Sequence, residues 1–330
     1  MKKATDLIQL ELQNSLMLLN AWKSPSLILA VSGGKDSVSM LHAFVQLQTS
    51  KNLKISVAHY NHGLRPESEA EAEFLKNLCT AMDVACVIGK APAFSKKENM
   101  EAWARTHRYE FLEKTRQKLD ADFVLTAHHK NDLAETVLMR ILSGRAAVNF
   151  GGVKKIDFVQ RLFRPMLGIT RELVENYILE NNLAFVEDSS NSNLEITRNR
   201  IRAEIIPTLE HKINPGLIDS LCVLADRINT DEESIWDLVN RIYLEAENTN
   251  IWEFYSKQPR YIRWRLLKLE LEKQLGRRKV GYYSLARLSE ALDTQDGSPK
   301  TIELGWGVIC KFSRKGVLEF SSAVDSEASG

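Results

Sequence analysis

Short apolar runs alternate with amphipathic stretches through the first half of the chain. The runs are Leu27–Val31, Leu53–Tyr60, Val84–Gly89 and Phe123–Ala127. Each is a few residues long and lacks in/out alternation, as befits strands covered on both faces. Behind the first, Val38, Met40, Leu41, Phe44, Val45 and Leu47 recur at helical spacing. An acidic stretch with Phe74, Leu75 and Leu78 on one face follows the second run, and helical patterns over about 99–118 and 132–142 follow the third and fourth. Strand and helix alternating in this way predict an α/β fold built on a doubly wound parallel sheet. A further helix is expected near Thr170. From Asn214 to about Asp293 helical periodicity dominates, and short alternating runs then predict a small terminal β piece. The expected division is a first domain over 1–208, a smaller mainly helical domain over 209–325 and a frayed polar tail over 326–330.

Composition narrows the class without naming it. The chain has 330 residues, 44 Lys+Arg against 43 Asp+Glu, 44% hydrophobic and 26% charged residues, which is ordinary for a soluble globular protein. No apolar run approaches the roughly 18 residues a membrane span needs. Asp6 and Glu11 break up the N-terminal stretch, so no secretory signal is expected. Cys79, Cys86, Cys222 and Cys310 form no C-x-x-C pair, which points to a reducing cytoplasm with neither a disulfide framework nor a zinc knuckle.

The candidate chemistry sits after the strands, where open α/β sheets bind ligands. Ser32-Gly33-Gly34-Lys35-Asp36-Ser37 joins the first strand to the first helix. Glycines there admit a phosphate to the backbone, and the helix start offers free N–H groups. The string is neither G-x-x-x-x-G-K-[ST] nor G-x-G-x-x-G. Asp36 suits a triphosphate chiefly through Mg²⁺, and otherwise reads as a helix-start carboxylate. His59, His62 and Arg65 follow the second strand; His128 and His129 follow the fourth. Asp132 and Glu135 share one helical face, suited to an ammonium group, Mg²⁺ or an acidic helix start. Arg105 and Arg108 lie one turn apart, as do Arg198 and Arg202 in the string RNRIR. Either pair fits phosphate or RNA contact, or a solvated face.

SGGKDS, HYNHGLR, ARTHRY, LTAHHKNDLAET, RPML and EDSSN…RNRIR occur in this order. Over about Leu27–Arg202 the set resembles the tRNA(Ile)-lysidine synthetase family of the N-type ATP pyrophosphatase (PP-loop) superfamily. The resemblance implies a ligase whose substrates are ATP with Mg²⁺, free L-lysine and the isoleucine tRNA with a CAU anticodon. In that reaction the 2-carbonyl oxygen of the wobble cytidine is adenylated, and the lysine ε-amine then displaces AMP to give lysidine. It further implies ATP phosphates at Ser32–Ser37, Mg²⁺ at Asp36, lysine near Asp132 and Glu135, and Arg105 as a catalytic helper. His59, His62, Arg65, Arg108, His128, Arg198 and Arg202 become nucleotide or tRNA contacts. Longer members carry a further domain for the acceptor stem; this chain ends after its β piece, so that role is expected to fall to Asn214–Phe320 or to be lost.

Rival readings are a 2-thiocytidine synthetase-like enzyme, which needs cysteine pairs or a cluster, an ammonia-dependent amide ligase, and a non-catalytic ATP- or RNA-binding module. The sequence leaves the oligomeric state open, a homodimer included, and does not name the general base for lysine. Charge is also segregated beyond the first domain. Between Lys257 and Lys279 nine basic residues face two acids, while Asp231–Glu253 holds seven acids and one base. Tyr261, Trp264, Arg277 and Arg278 in the basic stretch suit a tRNA surface; pairing between the two stretches, with Trp264 in the core, is the other reading.

Overall fold

The computed structural model describes residues 3–63, 68–92, 100–143, 151–187, 197–245, 254–255, 257–275, 282–293, 300–305, 308–312 and 318–322. They fall into two compact units, one up to Ser143 with Gly151–Asp226, the other from Arg227.

The first unit carries the predicted strands as β1 Ser26–Ala30, β2 Lys54–Asn61, β3 Ala85–Lys90 and β4 Phe123–Thr126. The two-residue strands β5 Ile156–Asp157 and β6 Leu162–Phe163 extend the sheet, whose order is β3-β2-β1-β4-β6-β5. All pairings are parallel except β5 with β6. Both faces are covered. Leu27 and Leu29 of β1 enter one core with residues of α1 Ala4–Leu16, α2 Lys35–Gln48, α3 Ser68–Ala81 and α6 Arg171–Glu180. Ile28, between them, faces Leu112 of α4 Met100–Lys118 in a second cluster. Period-2 side-chain direction on a strand apolar throughout thus explains its continuous run.

The sequence reading did not pick out α1. Ile8, Leu12 and Leu16 put it in the core, and the Glu180 carboxylate accepts the Ala4 and Thr5 N–H groups at 2.9 Å each. That carboxylate satisfies donors a helix start leaves unpaired. A third cluster joins Leu133, Val137 and Leu138 of α5 Lys130–Leu142 to Ile201, Ile206 of α8 Ile206–Lys212, and Leu221. Between α7 Thr197–Arg200 and α8 lies a π-helical turn, Ile201–Ile205, in which Ile206 N–H donates to Ile201 C=O five residues back. Pro207, lacking an N–H, leaves the ordinary α pattern unavailable next to it.

The division between the units falls inside α9 Leu217–Glu245. The second unit adds α10 Arg260–Leu275, α11 Tyr282–Asp293 and the antiparallel sheet β7 Lys300–Gly305, β8 Val308–Phe312, β9 Leu318–Ser322. Leu266, Leu267, Leu271 and Leu288 pack with Leu304, Cys310 and Phe320. Gln274 donates to Leu318 C=O at 3.0 Å and accepts Phe320 N–H at 2.7 Å, which occupies groups on an edge strand. The segregated charges pair in part. Arg265, 4% exposed, meets Glu232 at 2.5 Å and lies over the rings of Trp236 and Tyr261, while Trp264 is buried. Arg260 meets Glu290 at 2.5 Å. Arg265 and Trp264 follow the charge-pairing reading, whereas Glu290 lies outside the acidic stretch; Arg277, Arg278 and Lys279 lie outside the described residues.

One glycine gives a test of the packing. A Cβ on Gly89 of β3 would overlap the Phe111 ring of α4. Gly89→Ala is expected to cost about 1–3 kcal/mol from overpacking, read as a lower Tm. An unchanged Tm would show that the ring yields freely.

Candidate active site

The loop after β1 closes on its own hydroxyls. Ser32 N–H donates to Ser37 Oγ at 3.2 Å, and the Ser37 hydroxyl donates to Gly34 C=O at 2.9 Å. Gly33 has φ +97°, a conformation open to glycine and strained for other residues. Its carbonyl accepts Val186 N–H at 2.9 Å, tying the loop to the strand-free segment that precedes residue 188. Gly34 is the N-cap of α2, so the first turn of a 14-residue helix opens on the loop. Lys35 does not project freely, because its Nζ is 2.5 Å from the Glu175 carboxylate of α6.

Asp36 stands in that first turn, with Oδ1 buried and without a hydrogen-bond partner. Burial pushes its carboxyl pKa up, opposed by His129, assisted by Asp132 and opposed again by Arg171 and Lys35. A carboxylate oxygen held unpartnered beside a phosphate-type loop fits a divalent cation. Among the described residues no group of three His, Cys, Asp or Glu is placed to hold a metal alone. One carboxylate plus substrate phosphates is the usual magnesium arrangement.

His129 is fully buried and caps α5: its Nδ1 accepts Asp132 N–H at 3.4 Å, and its own N–H donates to Asp132 Oδ2 at 3.0 Å. Its Nε2 lies 3.7 Å from Asp36 Oδ2. The acidic pair of α5 is bound by the two arginines of RNRIR. Arg198 reaches Glu135 Oε2 at 2.8 Å and Asp132 Oδ1 at 3.1 Å. Arg202 reaches Glu135 Oε1 at 2.6 Å and Asp132 Oδ1 at 3.2 Å. Glu135 is 1% exposed. Burial acts to raise Asp132, but His129, Arg198, the His129 backbone N–H and His128 act together against it, and its carboxyl is held below the usual range. Burial likewise opposes the charge of Arg202, and Glu135, Asp132 and Asp36 more than restore it.

The remaining candidates divide. His59, at the end of β2, donates through Nδ1 to Val31 C=O at 2.9 Å, next to the loop. Its Nε2 is buried and unpartnered, and burial lowers its pKa. His62 stacks edge-on with Tyr60 at 5.0 Å. His128 meets Thr126 Oγ1 at 2.8 Å; burial drives its pKa down to about 3, with Asp132 opposing and Arg164, Arg198 and Arg108 assisting. Arg108 is half-buried and lies over the Tyr109 ring at 5.5 Å, and Arg105, exposed, lies over the same ring at 4.9 Å. Arg65 lies outside the described residues. Arg171 and Glu175 were not singled out from sequence, and His129 was named there only as one of the histidines that follow a strand.

The family model for the PP-loop domain matches residues 8–209. The chain is 36% identical over 217 residues to the tRNA(Ile)-lysidine synthase of Petrotoga mobilis, covering 64% of this chain and 69% of the relative. It is 28% identical over 285 residues to that of Clostridium tetani, covering 84% of this chain and 61% of the relative. Against the Treponema denticola relative, 38% identical over 192 residues, the match covers 56% of this chain and 41% of the relative, so the chain spans about half the length of some curated relatives. In fold it is similar to the U34-tRNA thiolase NcsA of Methanococcus maripaludis with its 4Fe-4S cluster, at TM-score 0.60, 16% identity, 68% of this chain and 78% of that one. That likeness is one of fold alone, and it agrees with the doubly wound sheet expected from the alternating runs. With the PP-loop match spanning the whole of the site and the Petrotoga relative aligned over most of its own length, the chain belongs to the tRNA(Ile)-lysidine synthases of the PP-loop family.

Proposed function

We propose that the chain ligates L-lysine to the 2-carbon of the wobble cytidine of the CAU-anticodon isoleucine tRNA, with ATP converted to AMP and pyrophosphate. In the first step the cytidine 2-carbonyl oxygen attacks the α-phosphorus, and the bond to the bridging oxygen of pyrophosphate breaks. In the second the neutral lysine ε-amine attacks C2, a C–N bond forms, and the C2–O bond breaks as AMP leaves. A cytosine carbonyl oxygen is a poor leaving group, and adenylation places it in a phosphodiester that departs as AMP.

The observation that carries this reading is Asp36, an unpartnered buried carboxylate oxygen beside a self-closed glycine loop at a helix start. The loop backbone and the α2 start receive phosphate oxygens. Asp36 would hold Mg²⁺, whose chemistry is to offset the charge of the phosphates. Arg198 and Arg202, fixed by Asp132 and Glu135, present cations beside it. Lysine has to share the acidic pair with these guanidinium groups, and Asp132 at 14% side-chain exposure is the member its ammonium reaches, since Glu135 is sealed. Neither Asp132, held low, nor His128, at about 3, is a strong base for an ammonium of pKa about 10.4. The remaining basic surface is proposed to meet tRNA. No helix among the described residues is long and apolar enough to cross a membrane. A cytoplasmic enzyme is the reading that fits its substrates. AMP release from ATP that requires both lysine and this tRNA tests the proposal; AMP release indifferent to either would refute it.

A further inference from the structure

We propose that His129 is a positioning residue that orients Asp36 toward the cation and couples the phosphate loop to the Asp132–Glu135–Arg198–Arg202 cluster. The inference rests on the ATP-dependent reading above. It begins with the tautomer. Nδ1 accepts the Asp132 N–H at 3.4 Å as the cap of α5 and lies 3.5 Å from Asp132 Oδ2; the neutral ring that makes this cap and the imidazolium both carry a proton on Nε2. Nε2 is buried, has no hydrogen-bond partner, and lies 3.7 Å from Asp36 Oδ2. That is too long for a hydrogen bond in the free protein and short enough to close by a small shift of the carboxylate. The other Asp36 oxygen, Oδ1, is the unpartnered one assigned to the cation. An N–H donated to Oδ2 fixes the carboxylate plane and leaves Oδ1 facing the cation. The imidazole is fully buried and pinned by the reciprocal bonds of the cap, so it has one orientation to offer. Asp132, which fixes the ring, also receives both arginines, so the polar chain from cluster to loop is open only at the 3.7 Å gap between His129 and Asp36.

A helix cap alone would explain the Nδ1 contact but not a donor aimed at the loop acid, and the two roles separate by substitution. Asparagine caps helices well but is too short to reach Asp36; alanine does neither. ATP affinity is measured by calorimetry with and without Mg²⁺ for wild type, His129→Asn, His129→Ala, Asp36→Asn and His129→Asn with Asp36→Asn. The magnesium-dependent gain in ATP affinity is expected to fall about tenfold in His129→Asn, the scale of a hydrogen bond to a charged group, while metal-free affinity holds. Tm should fall less in His129→Asn than in His129→Ala. Once Asp36 is neutral, His129→Asn should add little further loss, because the two act as one unit. A full magnesium-dependent gain in His129→Asn, or losses that add in the double variant, would overturn the inference and leave His129 as a cap. Wild type that binds ATP with Mg²⁺ yet releases no AMP with lysine and tRNA would sink the proposed reaction and not this inference. Wild type that binds no ATP would sink both.

Discussion

Asp36→Asn is expected to lower tRNA- and lysine-dependent AMP release by about 10²–10³, the usual cost of removing one electrostatic contact at a reacting phosphate. Asparagine keeps the shape of the side chain and removes the charge. The wild-type carboxylate is itself a burden to the fold, because Oδ1 is buried without a partner and burial pushes its pKa up. The variant should therefore melt no lower than wild type, and the loss should reside in chemistry rather than in folding. Steady-state AMP formation and a thermal melt on the same sample check this. Near-normal AMP formation would remove Asp36 from the mechanism; a large fall in Tm would make it a structural residue.

Glu135→Gln should have its largest effect on stability. Read from sequence alone, Glu135 looked like an ammonium ligand whose loss would raise the KM for lysine. In the structure it is sealed beneath two arginines, receiving Arg198 at 2.8 Å and Arg202 at 2.6 Å. Removing its charge leaves two guanidinium groups sharing Asp132. Breaking a buried pair commonly costs about 3–5 kcal/mol. The low end applies here, because Arg198 and Arg202 keep 34% and 23% side-chain exposure and water screens part of the loss. About 3 kcal/mol corresponds to a Tm drop of roughly 6–12 °C for a unit of this size. A Tm unchanged in Glu135→Gln, with KM for lysine raised and KM for ATP constant, would return Glu135 to the lysine site.

What could be read from the sequence was what is local to it. The loop Ser32–Ser37 is six consecutive residues whose function needs their adjacency, so its string was legible. The strands β1 to β4 and the buried face of α2 follow from short-range periodicity. The pairing of Glu135 with Arg198 spans 63 residues, and nothing in either stretch reports the other. Read singly, an acid pair looked like a ligand site and an arginine pair like an RNA contact. His129 could be named from sequence only as a histidine after a strand, since its relation to Asp36 of a different helix is not written in its own stretch. Helix α1 was missed because Leu7, Leu10 and Met17 are exposed and blur the Ile8–Leu12–Leu16 stripe. Strands β5 and β6, at two residues each, carry no pattern to read. In the second unit charge segregation was plain, but its count could not tell a tRNA surface from Arg265 buried against Glu232.

The central claim is that one site uses ATP to join lysine to a tRNA base. The most direct measurement incubates the chain with ATP, Mg²⁺, lysine and CAU-anticodon isoleucine tRNA, and follows AMP and the mass of the tRNA together. AMP release is expected only when lysine and tRNA are both present, with the tRNA gaining the mass of one lysine less one water. AMP release without a change in tRNA mass, or a gain that does not depend on lysine, would contradict it.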